Sequence, residues 1–407
     1  MILSELLEIQ DWDKIPLLTL RMLKLKRRII KLLMEDDRTI IELCKITEFS
    51  IPTVTKIIGE LAEAGVVFEK GKLDTAGGRR PVIYGINPNC AYFLGVDVKR
   101  DSISFGLQNF KNELVVEVIR KPFRLEDTRE SFEELCTVIK DFMATSCVAK
   151  ERILSACVVF TGRINSEKGH NSTFFCFDEA PLNELIEQRI GVKTFIENDS
   201  RAMLFGEYCA LPERKRNVIY LNMSWGFGIS MMCNGELYYG QSGYSGEFGH
   251  SPILDNEIIC SCGKKGCIQT EISGETILNL FKKSLRNGSI SSLTLRKNIE
   301  DITMYDVVRA AVDDGDMLAI EVIGKVGNQL GRYLSLLVNV FNPDMVIIGG
   351  DVAAAGTYLE FPVKSALQIY SLNILLQDLS LKMATLGDKA GVIGACQILT
   401  NKLFDKQ

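Results

Sequence analysis

Four residues that bind soft metals stand within eighteen positions of this 407-residue chain: His250, Cys260, Cys262 and Cys267. Three thiolates and one imidazole make a closed Cys3His set, the donor chemistry of a structural zinc ion. Gly263 and Gly266 let the loop fold back so that the sulfurs converge. The chain has 12 cysteines and only 2 histidines, so this concentration argues against four unrelated core residues. A disulfide between Cys260 and Cys262 is the redox alternative, at a spacing that strains the bridge. The remaining cysteines read as small buried hydrophobes in a reducing compartment.

Two other constellations carry weaker chemistry. Phe195-Ile196-Glu197-Asn198-Asp199 reads as a strand that delivers an acid to the start of a helix over 200–211. Asp199 there can take a proton from, or hydrogen-bond to, a substrate hydroxyl. Aspartate is equally a preferred helix N-cap, and taken alone the motif favours the cap. Met345 to Ile348 reads as a buried strand running into Gly349-Gly350, where a nucleotide or another stretch of backbone can come close.

The elements that must position these groups fall into a basic head and an acidic body. Residues 21–80 carry 13 Lys/Arg and 9 Asp/Glu, a net of +4; against -5 overall, the rest of the chain holds -9. A basic head on an acidic body predicts that the head alone meets a polyanion. Leu25 to Met34 has helical spacing, with Lys26, Arg27, Arg28 and Lys31 among its apolar residues. A second helix spans 39–47. A third starts after Ser50, a suitable N-cap, with Pro52 in its first turn, and stops before Gly65. Strands over 66–69 and 81–84 then flank a glycine-rich tip, giving the layout of a winged helix-turn-helix. Such a motif would present Ser50, Thr53, Thr55 and Lys56 to base edges, and Arg79 and Arg80 from the tip to phosphates or a narrow minor groove.

From Ala91 onward, two hairpin-led α/β segments begin, near Tyr92 and near Asn217, each followed by further strands and amphipathic helices. That is the architecture of sugar kinases and actin-like proteins. No run approaches the roughly 20 apolar residues of a membrane helix, and the N-terminus lacks the order of a secretory signal. These features predict a cytoplasmic protein without a membrane partner.

Taken together, the chain resembles the ROK family (repressors, open reading frames and kinases) almost end to end. Gly77-Gly78-Arg79-Arg80-Pro81 matches the wing tip of its regulator branch. Gly246-Glu247-x-Gly249-His250 matches its sugar-contacting segment, and Cys260-x-Cys262-Gly-x-x-Gly-Cys267 its zinc loop. The resemblance implies an α+β winged helix-turn-helix domain over 1–87. It also implies a two-lobed, ribonuclease H-like α/β body: lobe 1 over 88–205, completed by a C-terminal helix at about 385–407, and lobe 2 over 206–384. Asn198 and Asp199 fall on the family's sugar-binding pair, whose aspartate is the base in the kinases. Glu247 and His250 become further sugar contacts, and Gln269 stands where the family usually has a glutamate.

Departures from the family pattern bear on function. The first phosphate loop, Asp-x-Gly-Gly-Thr in the kinases, is Asp97-Val98-Lys99-Arg100-Asp101 here, and Trp225 takes the threonine position of the second. Phosphoryl transfer depends on positioning and charge stabilisation around the phosphates, so ATP is not an expected cofactor. Arg201 replaces a small polar residue next to the Asn-Asp pair. The expectation is a homodimeric or homotetrameric regulator, a repressor by preference, that binds double-stranded operator DNA. Its effector would be a sugar or sugar derivative bound between the lobes. Two rivals stand beside it: an active sugar kinase with Asp199 as general base, and a regulator that answers to a protein partner.

Overall fold

The computed structural model describes residues 16–72 and 80–404, so Gly77, Gly78 and Arg79 of the expected wing tip lie outside the described residues. The chain divides into two compact units. One runs to Asn198 and resumes at Val392; the other is Asp199–Gly391.

The first unit opens with α1 (Leu17–Glu35), α2 (Ile40–Thr47) and α3 (Ile51–Glu63). A capping box fixes the start of α2: the Thr39 hydroxyl accepts from the Glu42 amide, and the Glu42 carboxylate accepts from the Thr39 amide at 2.7 Å. Glu48 then adopts a left-handed conformation, φ 61°, and turns the chain into α3. Leu25, Ile29, Ile30 and Leu33 of α1 are buried, as are Leu43 of α2 and Val54, Ile57, Ile58 and Leu61 of α3. After α3, β2 (Val67–Lys72) pairs antiparallel with β3 (Val82–Ile86), and β1 (Arg38–Thr39) closes the other edge of β3.

Several cations of α1 have partners within the head. Lys26 pairs with Glu60 of α3 at 2.5 Å, and Arg28 donates to the Ile46 carbonyl of α2 at 2.7 Å. Arg27 is 7% exposed, and that burial lowers its pKa. Lys26 and Arg28 thereby tie α1 to α3 and to α2. Ser50 sits at the N-cap of α3 as expected, but its hydroxyl meets that of Thr53 at 2.8 Å rather than a backbone amide. Lys111, from the body, donates to the Leu33 and Met34 carbonyls at 3.0 and 3.1 Å. It supplies the cation that the last turn of α1 lacks.

The rest of this unit is a five-stranded sheet of order β10-β7-β4-β5-β6. Its strands are β4 (Tyr92–Val98), β5 (Ser102–Asn109), β6 (Leu114–Pro122), β7 (Ile153–Phe160) and β10 (Thr194–Asn198). A two-stranded ribbon, β8 (Ile164–Asn165) and β9 (His170–Asn171), holds the second histidine. Helices α4 (Arg129–Thr145) and α5 (Leu182–Ile190) bury Phe132, Leu135, Ile139, Phe142 and Ile186 in one core with the sheet.

The second unit begins with α6 (Asp199–Ala210), followed by β11 (Val218–Met223), β12 (Phe227–Cys233) and β13 (Glu236–Leu237). Its later elements are α7 (Gln269–Ile272), α8 (Gly274–Arg286), α9 (Met304–Asp313), α10 (Met317–Phe341), β14 (Met345–Gly349), α11 (Thr357–Tyr370), α12 (Asn373–Leu376) and β15 (Ser380–Met383). The sheet order is β13-β12-β11-β14-β15. Both sheets thus pair an antiparallel hairpin with parallel strands, the mixed layout expected from the sequence.

The last helix, α13 (Ala390–Phe404), returns to the first unit. A Cβ on Gly95 of β4 would lie 2.3 Å from the Val392 carbonyl and 2.9 Å from the Cys396 sulfur. Gly95→Ala is therefore expected to destabilise the protein by about 1–3 kcal/mol, the usual scale of core overpacking. A urea titration reads this as a lower midpoint.

Candidate sugar and metal sites

The hairpin loop from His250 to Ile268 is held by its own backbone. Amides of Leu254, Cys260 and Ile268 donate to the carbonyls of Gly266, Lys264 and Ser251. Gly266 has φ 71°, and a Cβ there would strike the Leu254 carbonyl. The fold-back brings one donor atom from each of His250, Cys260, Cys262 and Cys267 within 4.8 Å of one another. His250 Nδ1 lies 3.3 Å from Cys260 Sγ, and the Cys262 and Cys267 sulfurs are 3.6 Å apart. A tetrahedral ion with bonds of about 2.3 Å to sulfur gives edges of about 3.8 Å, so the set fits. All twelve cysteines are free thiols in this structure, Cys260 and Cys262 among them.

Electrostatics favours a cation at this point. Burial, reinforced by the neighbouring sulfurs, pushes the Cys267 thiol up to about 12. Burial also acts to raise Cys262, but the Lys264 amide and adjacent sulfurs outweigh it and hold that thiol below its ordinary value. Crowded thiolates repel one another, and a divalent ion relieves that repulsion. Gln269 Nε2 donates to Cys260 Sγ at 3.1 Å and Ser261 Oγ at 3.2 Å. Gln269, which stands where the family usually has a glutamate, thus lies against the Cys260 sulfur of the candidate metal set.

The expected sugar contacts in the second unit share β12 as a wall. Ser230 Oγ of β12 donates to the Ser200 carbonyl at 2.7 Å, and Gly228 leaves room for the Ser200 hydroxyl. This docks the N-terminus of α6, where the Asp199 carboxylate accepts from the Ser200 amide at 2.7 Å and from Asn222 Nδ2 at 3.4 Å. Gly246 and Gly249 pack the Glu247–His250 turn against the Ile229 and Phe227 carbonyls, each too close for a Cβ. Those approaches account for the Gly-Glu-x-Gly-His spacing. His250 Nε2 faces Glu247 at 3.7 Å, while Nδ1 faces the sulfurs. Asn198 ends β10 of the first unit and donates to the Gly162 carbonyl at 3.0 Å. Glu271 accepts from the Tyr333 hydroxyl at 2.5 Å, a structural engagement.

Sequence spacing does not mark Asn222 or Arg201 as site residues. Asn222 bonds both Asp199 and Ser200 from β11, a pairing that needs the sheet register to be visible. Arg201 is buried on α6 and donates to the Gly243 carbonyl.

The two turns that align with the family's phosphate loops are tied into the surrounding backbone. Between β4 and β5, the Lys99 amide donates to the Ser102 carbonyl, and the Arg100 and Asp101 carbonyls accept from Leu125 and Phe123. Between β11 and β12, the Ser224 amide donates to Gly226, while the Ser224 and Trp225 carbonyls accept from the first amides of α8. Both glycines of Gly349-Gly350 make close approaches within the protein: a Cβ on Gly349 would overlap the Tyr220 hydroxyl, and one on Gly350 the Met223 backbone.

Comparison with known proteins agrees with this layout. The xylose repressor of Caldicellulosiruptor bescii is 26% identical over 366 residues, 89% of this chain and 92% of that protein. The DNA-binding transcriptional repressor Mlc of Escherichia coli is 30% identical over 363 residues, 86% of this chain and 87% of Mlc. A crystal structure of a ROK family transcriptional regulator, a homologue of E. coli Mlc, superposes with TM-score 0.78 at 25% identity, covering 94% of this chain and 97% of that one. A ROK glucokinase from Streptomyces griseus shares the fold over 76% of this chain and 99% of its own, with TM-score 0.67 at 21% identity. The ROK family pattern itself matches residues 93–402, and the chain belongs to that family.

Proposed function

We propose that this protein is a sugar-responsive, DNA-binding transcription regulator, acting as a repressor of carbohydrate genes. One observation carries the reading: a helix-turn-helix head is joined to a kinase-like body that keeps its acid and histidine turn while Lys99, Arg100 and Asp101 replace the glycines and threonine of the family's first phosphate loop. In the head, α3 exposes Thr55 and Lys56, with Ser50 and Thr53 at its start. Arg80 is exposed beside the wing. These residues would meet operator DNA together with Arg79. In the body, Asn198, Asp199, Glu247 and His250 would accept and donate hydrogen bonds to sugar hydroxyls. A structural zinc held by His250, Cys260, Cys262 and Cys267 would fix the turn that orients Glu247. Relatives named as xylose and N-acetylglucosamine repressors support a sugar as effector.

A regulator of this kind reads a two-fold DNA site as a dimer. The second copy has a suitable surface: Val340 is 74% exposed and Ile374 70%, with Phe341, Ile369 and Leu372 also exposed. Asn339 joins these elements by bonding the Tyr370 carbonyl and the Leu372 amide. Val340→Glu with Ile374→Glu is expected to shift the protein to monomer in sedimentation equilibrium. An unchanged mass would place the interface elsewhere.

Phosphoryl transfer is not part of the proposal. A coupled assay of ADP release over a panel of sugars should give no sugar-dependent turnover. Turnover abolished by Asp199→Asn would instead support a kinase with Asp199 as base. Calorimetry with D-xylose, D-glucose and N-acetyl-D-glucosamine should detect binding of at least one sugar; no heat from any would favour a protein partner as the signal.

A further inference from the structure

Arg201 of α6 lies two residues after Asp199, yet it turns away from solvent. It is 3% exposed, its Nη1 donates to the Gly243 carbonyl at 3.0 Å, and its guanidinium carbon sits 5.1 Å from the centre of the Tyr239 ring. The segment it grips leads directly into the Glu247–His250 turn. That segment has left-handed glycines at 240, 243 and 246, with φ of 72°, 79° and 99°. Such a stretch gains much conformational freedom when released, so it must be pinned to hold a fixed path. Ser245 supplies a local pin, its hydroxyl donating to the Tyr238 carbonyl at 2.5 Å. Arg201 supplies a long-range one, linking residues 42 apart in sequence. A planar guanidinium can donate to a carbonyl and stack on a ring at once; a lysine ammonium does not combine the two in this geometry.

From this geometry we infer that Arg201 is a positioning residue for the effector site. It fixes the segment 239–246 to α6, and so fixes Glu247 and His250 relative to Asp199. The inference rests on the reading of these three residues as sugar contacts and adds the element that sets their spacing.

The test compares the native protein with Arg201→Met, Arg201→Lys and Tyr239→Leu. Calorimetry with D-xylose, D-glucose, N-acetyl-D-glucosamine and D-glucose 6-phosphate reads affinity, and hydrogen exchange reads the amides of 239–250. Arg201→Met should weaken binding of whichever neutral sugar the native protein takes by about tenfold, the scale of re-ordering a released segment. Exchange should quicken over 239–250 while zinc content and exchange elsewhere stay native. Arg201→Lys should recover part of the loss, and Tyr239→Leu should give a smaller loss of the same kind. Unchanged exchange over 239–250 in Arg201→Met overturns the inference, as does selective loss of the sugar phosphate with neutral-sugar binding intact. Should the native protein bind none of the panel, the effector reading fails, and the exchange measurement still decides the role of Arg201. If Arg201→Met does not fold, Tyr239→Leu decides: native exchange over 239–250 in that variant counts against the pin.

Discussion

Replacing Cys267 by serine is expected to remove zinc from the protein and to abolish most sugar affinity with it. Native protein should carry about one zinc per chain, and the variant close to none, because a closed four-ligand site loses its tetrahedral shell when one thiolate is removed. Cys267 is fully buried, and that burial with its neighbouring sulfurs pushes its thiol pKa up, so metal binding must displace its proton. Zinc retention should therefore weaken as pH falls. The consequence for sugar follows from His250, whose two ring nitrogens face Cys260 and Glu247 respectively. Freed from metal, that ring no longer fixes the Glu247 turn, and affinity should fall by about tenfold or more, the scale seen when support of a metal-bound group is removed. Elemental analysis and calorimetry on the same samples check both statements. Cys147→Ser, at an exposed thiol outside the set, should change neither. Retention of zinc by Cys267→Ser would remove this cysteine from the ligand set.

The second large effect concerns the head. Lys56→Ala combined with Arg80→Ala should weaken DNA binding by roughly 10–100-fold at moderate salt. It should also flatten the dependence of affinity on salt by about two released counterions, one for each phosphate that is no longer neutralised. Both residues are exposed in the free protein, so their removal should leave stability near native. Lys26→Ala is the contrasting variant. Its ammonium is engaged by Glu60 of α3, so its removal should lower stability slightly and leave the salt slope unchanged. A salt slope that falls for Lys26→Ala and not for the double variant would reverse the assignment of the DNA-facing surface.

That contrast marks the limit of sequence reading for this chain. The order of the head was legible because helical periodicity, Pro52 in the first turn of α3 and the Gly65 stop are local signals. The metal set was legible because its four donors lie in one short loop, where glycine spacing alone dictates the fold-back. The use of charge was not legible. Whether Lys26 faces solvent or Glu60, and whether Arg28 faces DNA or the Ile46 carbonyl, depends on how α1 crosses α2 and α3. The partners of Gln269 were hidden for a related reason: its position relative to Cys267 is a matter of spacing, but the direction of its amide is set by Cys260 and Ser261, eight or nine residues earlier. The pair Gly349-Gly350 signals close approach in either case, and only the positions of Tyr220 and Met223 identify protein as the neighbour. Local chemistry survived translation into structure, and long-range partners decided the rest.

The central claim is that sugar bound in the body changes the hold of the head on DNA, and linkage makes it directly measurable. The decisive experiment is fluorescence anisotropy of a labelled operator, selected by this protein from random-sequence DNA, titrated with protein at fixed salt in the presence and absence of the sugar that binds by calorimetry. Saturating sugar is expected to shift the DNA dissociation constant by about 5–150-fold, the usual range of coupling between two sites, and Asp199→Ala to abolish the shift while leaving sugar-free DNA binding intact. A DNA affinity that is identical with and without bound sugar would contradict it.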